Sequence, residues 1–528
     1  MPLENALHAV DKDDPMRFVR SAGILLHVTS LPGVYGNGDL GAPAYHFVDW
    51  LVVAGQKLWQ MLPLGPGGLA NSPYMSLSAF AGNPLVVDLE ELKNRGWLQA
   101  ADLAPLPAFS DGRVDFAKTT PFRTKALMAA SKRFFATAAD ADRKAFEAFC
   151  IAQRSWLDDY ALFETLNEVH HRALWTSWPE KYAFRDAAAL RGARKEHLDL
   201  LRHHQFVQWC FRRQWDSLKR YANERGVRLV GDIPIFVAHH SADVWSHQDL
   251  FHLDEKGNPT VVAGVPPDYF SKTGQRWGNP LYRWETMKAK KFGWWVERFR
   301  ATLAIFDVVR VDHFRGFEAY WEIPAREKTA VKGRWVKAPG NALFAALRRH
   351  LRDLPIIAED LGVITPEVTE LRDTFKLPGM KVLQFAFAGG PENAFLPHNY
   401  TPHCVVYTGT HDNDTTSGWF RTATEHEREF ARRYLLANGS GVTREMIRAA
   451  LNSVADMAVV PFQDVLALDS EHRMNLPGTT EGNWEWRFSW SMVGPQHANA
   501  MYEMTALAHR CAPDRLALPP YPSGRVQP

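Results

Sequence analysis

Short apolar runs bounded by turn residues recur along the chain at 23–31, 58–64, 228–237, 307–313, 355–362, 380–387, 404–412 and 457–463, and each reads as a strand. Between most of them lie stretches with helical periodicity, such as 341–351 and 366–375, which open on residues suited to a first turn. Strands that alternate with helices in this way predict an α/β fold, a parallel (β/α)8 TIM barrel.

The gap between the second and third runs is too long for a βα loop and is expected to carry structure of its own, a helical insertion over 95–200. Within it Phe146, Phe149, Trp156, Tyr160, Phe163 and Leu166 are spaced by 3, 7, 4, 3 and 3, which keeps them on one face of a long helix. That face is read as packing. Residues 261–284, rich in Gly, Pro and aromatics, are read as an irregular functional loop between the third and fourth strands. The expected organisation is an N-terminal extension at 1–20, a catalytic barrel at 21–515 interrupted by the insertion, and a tail at 516–528.

Composition narrows the function classes. With 46% hydrophobic and 23% charged residues in 528, the chain carries ample material for a large core, which excludes intrinsic disorder. Lys plus Arg number 61 against 59 for Asp plus Glu, with no long basic run, so nucleic acid is not an expected partner. Cys150, Cys210, Cys404 and Cys511 are scattered among apolar neighbours and show neither a zinc spacing nor a disulfide framework. No window approaches 18 uncharged apolar residues and the N-terminus has no apolar core, so a reducing cytoplasm is expected and a membrane is not. Trp 19, Phe 31 and Tyr 14 fill a core or stack on the C–H faces of sugar rings; composition leaves both uses open.

The chemistry concentrates in DVVRVDHFRG, where Arg310, Asp312 and His313 crowd the end of an otherwise apolar run. In a (β/α)8 barrel, catalytic groups project from the C-terminal ends of strands. Arg310 and Asp312 are two apart, so on a regular strand they point the same way, the guanidinium beside the carboxylate. Taken alone, this pair also fits a buried structural ion pair. Two further runs end on carboxylates, however: Glu359 in PIIAEDLG and Asp412 in VVYTGTHDND. Three inward carboxylates at one mouth repel one another unless a cation, a shared proton or a substrate resolves them, which marks a functional site. A metal is the alternative, since His313 and His411 are near and the pairs His239, His240 and His203, His204 exist, but no HxH or HExxH sets ligand geometry. Neither a metal nor a cofactor is expected. Two carboxyl groups in unlike environments suit glycoside chemistry, with Asp312 as the nucleophile, Glu359 as the acid/base and Asp412 stabilising a positively charged transition state. Apolar neighbours and the field of Asp312 are expected to raise Glu359.

The segments GILLHVTSLPGVYGNGDLG, NSPYMSLSAFAGNPL, GDIPIFVAHHSADVW, GVPPDYFSKTGQRWGNPLY, VVRVDHFRG, IIAEDLG, LQFAF, GTHDNDTTSGW and MNLPGT, between about residues 23 and 490, resemble the amylomaltase family. Its members are 4-α-glucanotransferases, or disproportionating enzymes, related to the α-amylase group. The resemblance implies α-1,4-glucans and maltooligosaccharides as substrates, and the same three roles for Asp312, Glu359 and Asp412. It also implies a donor pocket lined by Tyr74, Asp232, Arg310, His313 and His411, and an active-site loop that touches the glucan through Tyr269, Phe270, Gln275 and Trp277. Taken singly, Tyr74 also fits a packed aromatic, Asp232 a turn cap and Trp277 a core residue. The chain departs from the family pattern at Val28, where proline is usual, at His240, where aspartate is frequent, and at Ala388, where an aspartate would help hold an acceptor sugar.

The carboxylates alone do not separate a transferase from an α-1,4-glucan hydrolase, since both form a glycosyl-enzyme and differ in what attacks it. A catalytically silent glycan-binding barrel is the third reading. The aromatic loop favours transfer, by stacking an acceptor glucose and excluding water.

Overall fold

The computed structural model describes residues 18–267, 271–437 and 441–511. Its strands are β1 (Ser21–Leu25), β2 (Leu58–Gln60), β3 (Arg228–Pro234), β4 (Val261–Val265), β5 (Gln275–Pro280), β6 (Val308–Asp312), β7 (Ala319–Pro324), β8 (Arg334–Lys337), β9 (Ile356–Ala358), β10 (Gly379–Val382), β11 (Cys404–Tyr407) and β12 (Met457–Pro461). Eight of them form one sheet in the order β10, β11, β12, β1, β2, β3, β6, β9, with every ladder parallel. The two end strands meet where the Ala358 N–H donates to the Pro378 carbonyl at 2.9 Å, so the sheet is a nearly closed barrel with helices around it.

Each of the eight apolar runs overlaps one barrel strand, two of which, β1 and β10, begin one or two residues before the run, and every strand is shorter than its run. The first run leaves the sheet at Leu25, and Val28–Ser30 forms a 3-10 turn whose residues are as buried as the strand. Continuous apolarity reports burial on both faces, and a turn tucked over the barrel mouth is buried in the same way. Close strand approach also has a sequence signature. A Cβ on Gly23 would lie 2.3 Å from the Leu58 Cβ, so glycine is what lets β1 seat against β2 there.

Between β2 and β3 the chain forms the long helices Phe116–Thr137, Asp140–Val169 and Leu198–Glu224, with shorter ones between. The single helix Asp140–Val169 buries Phe146, Tyr160, Phe163 and Leu166, the packing face expected, and leaves Phe149 and Trp156 half-buried. Phe134 lies within 5.7 Å of Phe146, 4.9 Å of Phe206 and 5.2 Å of Trp209 between ring centroids, which joins the three helices. Their buried side chains are continuous with the barrel core.

Residues 261–284 are not an irregular loop throughout. β4 and β5 pair antiparallel, and with β7 and β8 they make a second sheet in the order β5, β4, β7, β8. The glycine content that reads as a loop serves this pairing: a Cβ on Gly264 would lie 2.2 Å from the Gln275 carbonyl oxygen. Among the described residues no helix is long and apolar enough to cross a membrane.

Candidate active site

Three adjacent strands set the first part of the site by register. In the ladder of β3 with β6, Asp232 lies opposite Arg310 and Pro234 opposite Asp312; in that of β6 with β9, Arg310 lies opposite Ile357 and Val311 opposite Ala358. Asp312 and Glu359, each one residue further on, are therefore level neighbours at the strand ends. Side chains two apart share a face, so Asp232, Arg310, Asp312 and Glu359 converge on one side while Val309 and Val311 fill the core on the other.

Arg310 holds the group together. Its Nη1 donates to Asp232 Oδ2 at 2.7 Å and its Nη2 pairs with Asp312 Oδ1 at 3.0 Å. Asp232 also accepts from the Tyr74 hydroxyl at 2.8 Å. The side chain of Asp232 is 1% exposed and that of Asp312 is 29% exposed, so of the two Asp312 reaches further into open space. Burial pushes Asp232 up to about 7, against the pull of Arg310.

Glu359 is held by backbone. Its Oε2 accepts from the His313 N–H at 2.7 Å and its Oε1 from the Leu361 N–H at 2.8 Å. His313 adopts the left-handed conformation (φ 52°, ψ 49°), which costs a non-glycine residue about 1–2 kcal/mol. The turn this creates directs the His313 N–H at Glu359 and lets the Phe314 N–H donate to the Glu359 carbonyl at 3.0 Å. Burial pushes the Glu359 carboxyl up to about 7; Arg310 opposes this and the charge of Asp312 adds to it. The expected rise is present, with burial as its chief cause. Burial likewise holds His313 down to about 3, so its ring is neutral. Trp277 meets that ring edge-on (4.9 Å, 89°) and donates its Nε1–H to Gln275 Oε1 at 3.0 Å, so two residues of the expected loop reach the site from β5. Tyr269 and Phe270 lie outside the described residues.

Asp412 is placed differently. The run 404–412 is a strand only to Tyr407, and Asp412 sits beyond it on an exposed turn, not on the strand end that the sequence suggests. Its Oδ1 accepts from Asn475 Nδ2 at 2.6 Å and lies 3.3 Å from His411 Nε2, while its carbonyl accepts from Arg473. Beneath the turn, Asp464 accepts from the Thr408 and Thr416 hydroxyls at 2.6 and 2.7 Å and from the Thr416 N–H at 2.8 Å. His411 is buried, which lowers its pKa. It stacks on Tyr74 (5.1 Å, 14°), and Trp484 leans on both rings at 5.8 and 6.0 Å. Tyr74, His411 and Trp484 thus form an aromatic wall beside the carboxylates, of the kind that takes the C–H face of a sugar.

The structure brings together Asp312, Glu359, Asp232, Arg310, His313, Tyr74, His411, Gln275 and Trp277, with Asp412 joined to the group through His411. Asn475 and Trp484 were missed. Asn475 lies in the quoted MNLPGT segment, which pointed to it, whereas nothing in GNWEW marks Trp484. Asp232 is no turn cap, since it lies within β3. The histidine pair near β3 is already engaged: His239 Nε2 with the Gly257 carbonyl at 2.8 Å, His240 Nε2 with Asn167 Oδ1 at 3.1 Å and His240 Nδ1 with the Trp175 N–H at 3.2 Å.

This site belongs to a known lineage. The family model described as 4-alpha-glucanotransferase matches residues 26–492. A 4-alpha-glucanotransferase of Thermus thermophilus is 52% identical over 503 residues, covering 94% of this chain and 100% of the relative. One from Synechocystis is 50% identical over 473 residues, covering 89% and 94%. The solved amylomaltase from Streptococcus agalactiae in complex with acarbose superposes with a TM-score of 0.91 at 36% identity, covering 93% of this chain and 100% of that one. The chain is a member of the 4-alpha-glucanotransferase family.

Proposed function

We propose that the protein transfers α-1,4-glucan segments from a donor glucan to the 4-hydroxyl of an acceptor glucose or maltooligosaccharide, with retention of configuration. The carboxylate of Asp312 attacks the anomeric carbon while Glu359 gives its proton to the departing glycosidic oxygen, leaving a glucosyl ester on Asp312. The acceptor hydroxyl then attacks the same anomeric carbon, Glu359 takes its proton and the carboxylate of Asp312 leaves. Asp412 hydrogen-bonds sugar hydroxyls and stabilises the oxocarbenium-like transition state. Tyr74, Asp232, Arg310, His313 and His411 line the donor subsite. Tyr269, Phe270, Gln275 and Trp277 hold the acceptor and keep water from the ester, so that sugar outcompetes solvent.

The observation that carries this reading is the level pairing of Asp312 and Glu359 at the ends of β6 and β9, one beside a guanidinium and the other raised to about 7. A proton-bearing acid next to an open carboxylate is what a double displacement requires. Incubation with maltotriose tests it: longer chains and glucose form while the number of reducing ends stays constant. A steady rise in reducing ends would identify a hydrolase instead. Replacing Asp312 with Asn leaves glucan binding and removes turnover; surviving turnover would displace Asp312 as the nucleophile. Four free thiols, Cys150, Cys210, Cys404 and Cys511, support a reducing cytoplasm as the place of action.

A further inference from the structure

Residues of the helix Asp140–Val169, of the segment 73–82 and of the helix Gly293–Ile305 together line a cavity of about 260 Å³. Its walls are aromatic. Phe80 stacks on Trp156 (6.3 Å, 13°) and meets Trp294 edge-on (6.1 Å, 84°), and all three rings are only half-buried. Its rim is polar and of mixed charge, with Asp159, Ser246, His247, Lys290 and Glu297 among the lining residues. The frame is fixed: Asp243 Oδ2 accepts from the Ala79 N–H at 2.7 Å, Ser246 Oγ and His247 Nδ1 lie 2.7 Å apart, and Asp159 pairs with Arg185 at 2.7 Å. Asp312, Glu359 and Asp412 do not line this cavity. An adjoining cavity of about 330 Å³ shares Phe80, Trp156 and Glu297 with it and extends to Tyr74 and Asp232.

Half-exposed flat rings bordered by hydrogen-bonding groups ask two things of a ligand: an apolar face to lie on the ring and hydroxyls at the edge to meet the rim. An aliphatic chain leaves the polar groups of the rim unpaired. A pyranose meets both demands. We propose that Phe80, Trp156 and Trp294 form a second α-glucan binding site, separate from the carboxylates, that holds a distant stretch of a long donor or acceptor. It rests on the glucan-transfer reading above and adds to it: a tethered chain re-enters the catalytic site at a raised effective concentration, which benefits long glucans and leaves maltotriose unaffected.

Oxidative footprinting of the wild-type protein with and without maltoheptaose, read by mass spectrometry, tests the site directly. Trp156 and Trp294 are expected to oxidise about three-fold more slowly in the presence of the glucan, from ring stacking of ordinary strength. Unchanged rates at both positions would overturn the proposal. In the double variant Trp156→Ala, Trp294→Ala, the apparent affinity for amylose falls about ten-fold while kcat/KM on maltotriose stays unchanged. Equal losses on both substrates, or on neither, would overturn it. Wild-type footprinting decides the matter should the variant not fold. The two readings fail separately: a protein that disproportionates maltotriose but shows no protection lacks only this site, whereas protection without disproportionation overturns the transfer reading.

Discussion

The carboxylates on β6 and β9 and the one on the turn after β11 are held in opposite ways. Asp312 and Glu359 are set by parallel ladders, and their partners are a neighbouring strand's Arg310 and two backbone N–H groups. Asp412 stands in the open and is positioned by side chains remote in sequence, chiefly Asn475, 63 residues on. The difference divides the labour. On the proposed assignment, the groups that exchange bonds and protons are fixed at the barrel wall, whose geometry the whole sheet enforces, while the group that steadies charge on a passing sugar sits on a solvent-facing turn.

The largest expected effect lies on the ladder side. Glu359→Gln keeps the shape and one of the two backbone hydrogen bonds, since its NH2 group cannot accept the other, and carries no transferable proton, so kcat on maltotriose falls about 10³-fold, within the usual range for a general acid/base; product chromatography measures it. Arg310→Met leaves Asp232 buried without its cation and lowers stability by about 3–5 kcal/mol in urea titration. On the turn side, Asn475→Ala removes one hydrogen bond to a charged oxygen, worth about 1.5–3 kcal/mol where water is excluded. Transfer falls about ten-fold when a bound glucan shuts water out, while the free protein loses only about 0.5–1.5 kcal/mol of stability, because Asp412 itself is exposed there. A stability loss comparable to that of Arg310→Met would erase the distinction between the two regions.

A pH experiment sharpens the same contrast. As the proposed acid, Glu359 must carry a proton for the first step, and burial raises it to about 7, so transfer is expected to decline as pH rises through about 7. Part of that elevation comes from the charge of Asp312, so in Asp312→Asn the Glu359 midpoint moves down, toward the ordinary carboxylate range. Infrared titration of the carboxyl band reads the shift. A midpoint that stays at about 7 would assign the whole elevation to burial. The smallest effect is expected at Gln275→Ala, which frees Trp277 from one neutral hydrogen bond of about 0.5–1.5 kcal/mol and lowers kcat/KM a few-fold.

The legible part of the site is the part carried by strands. RxD at a strand end places two side chains on one face by period alone, and DVVRVDHFRG showed Arg310 beside Asp312 before any coordinates. Apolar runs likewise located all eight barrel strands, because strands buried on both faces have no other way to read. Strand ends were less legible, since turns over the mouth are as apolar as strands, and so Asp412 was placed on a strand it does not occupy. The second sheet was hidden because Gly264 and its neighbours carry the composition of a loop while serving a close backbone pairing.

The sequence by itself determined the barrel, the chemical types at its mouth and the strand that each follows or ends, since local period and residue identity suffice for those. Only the tertiary structure decided that Asp232 faces Arg310 across β3 and β6, that a left-handed His313 turns its N–H onto Glu359, and that Trp484 and Asn475 arrive from far along the chain to complete the site. Those depend on ladder register and chain return. Both are fixed by packing the whole barrel at once and leave no trace in any short stretch of residues.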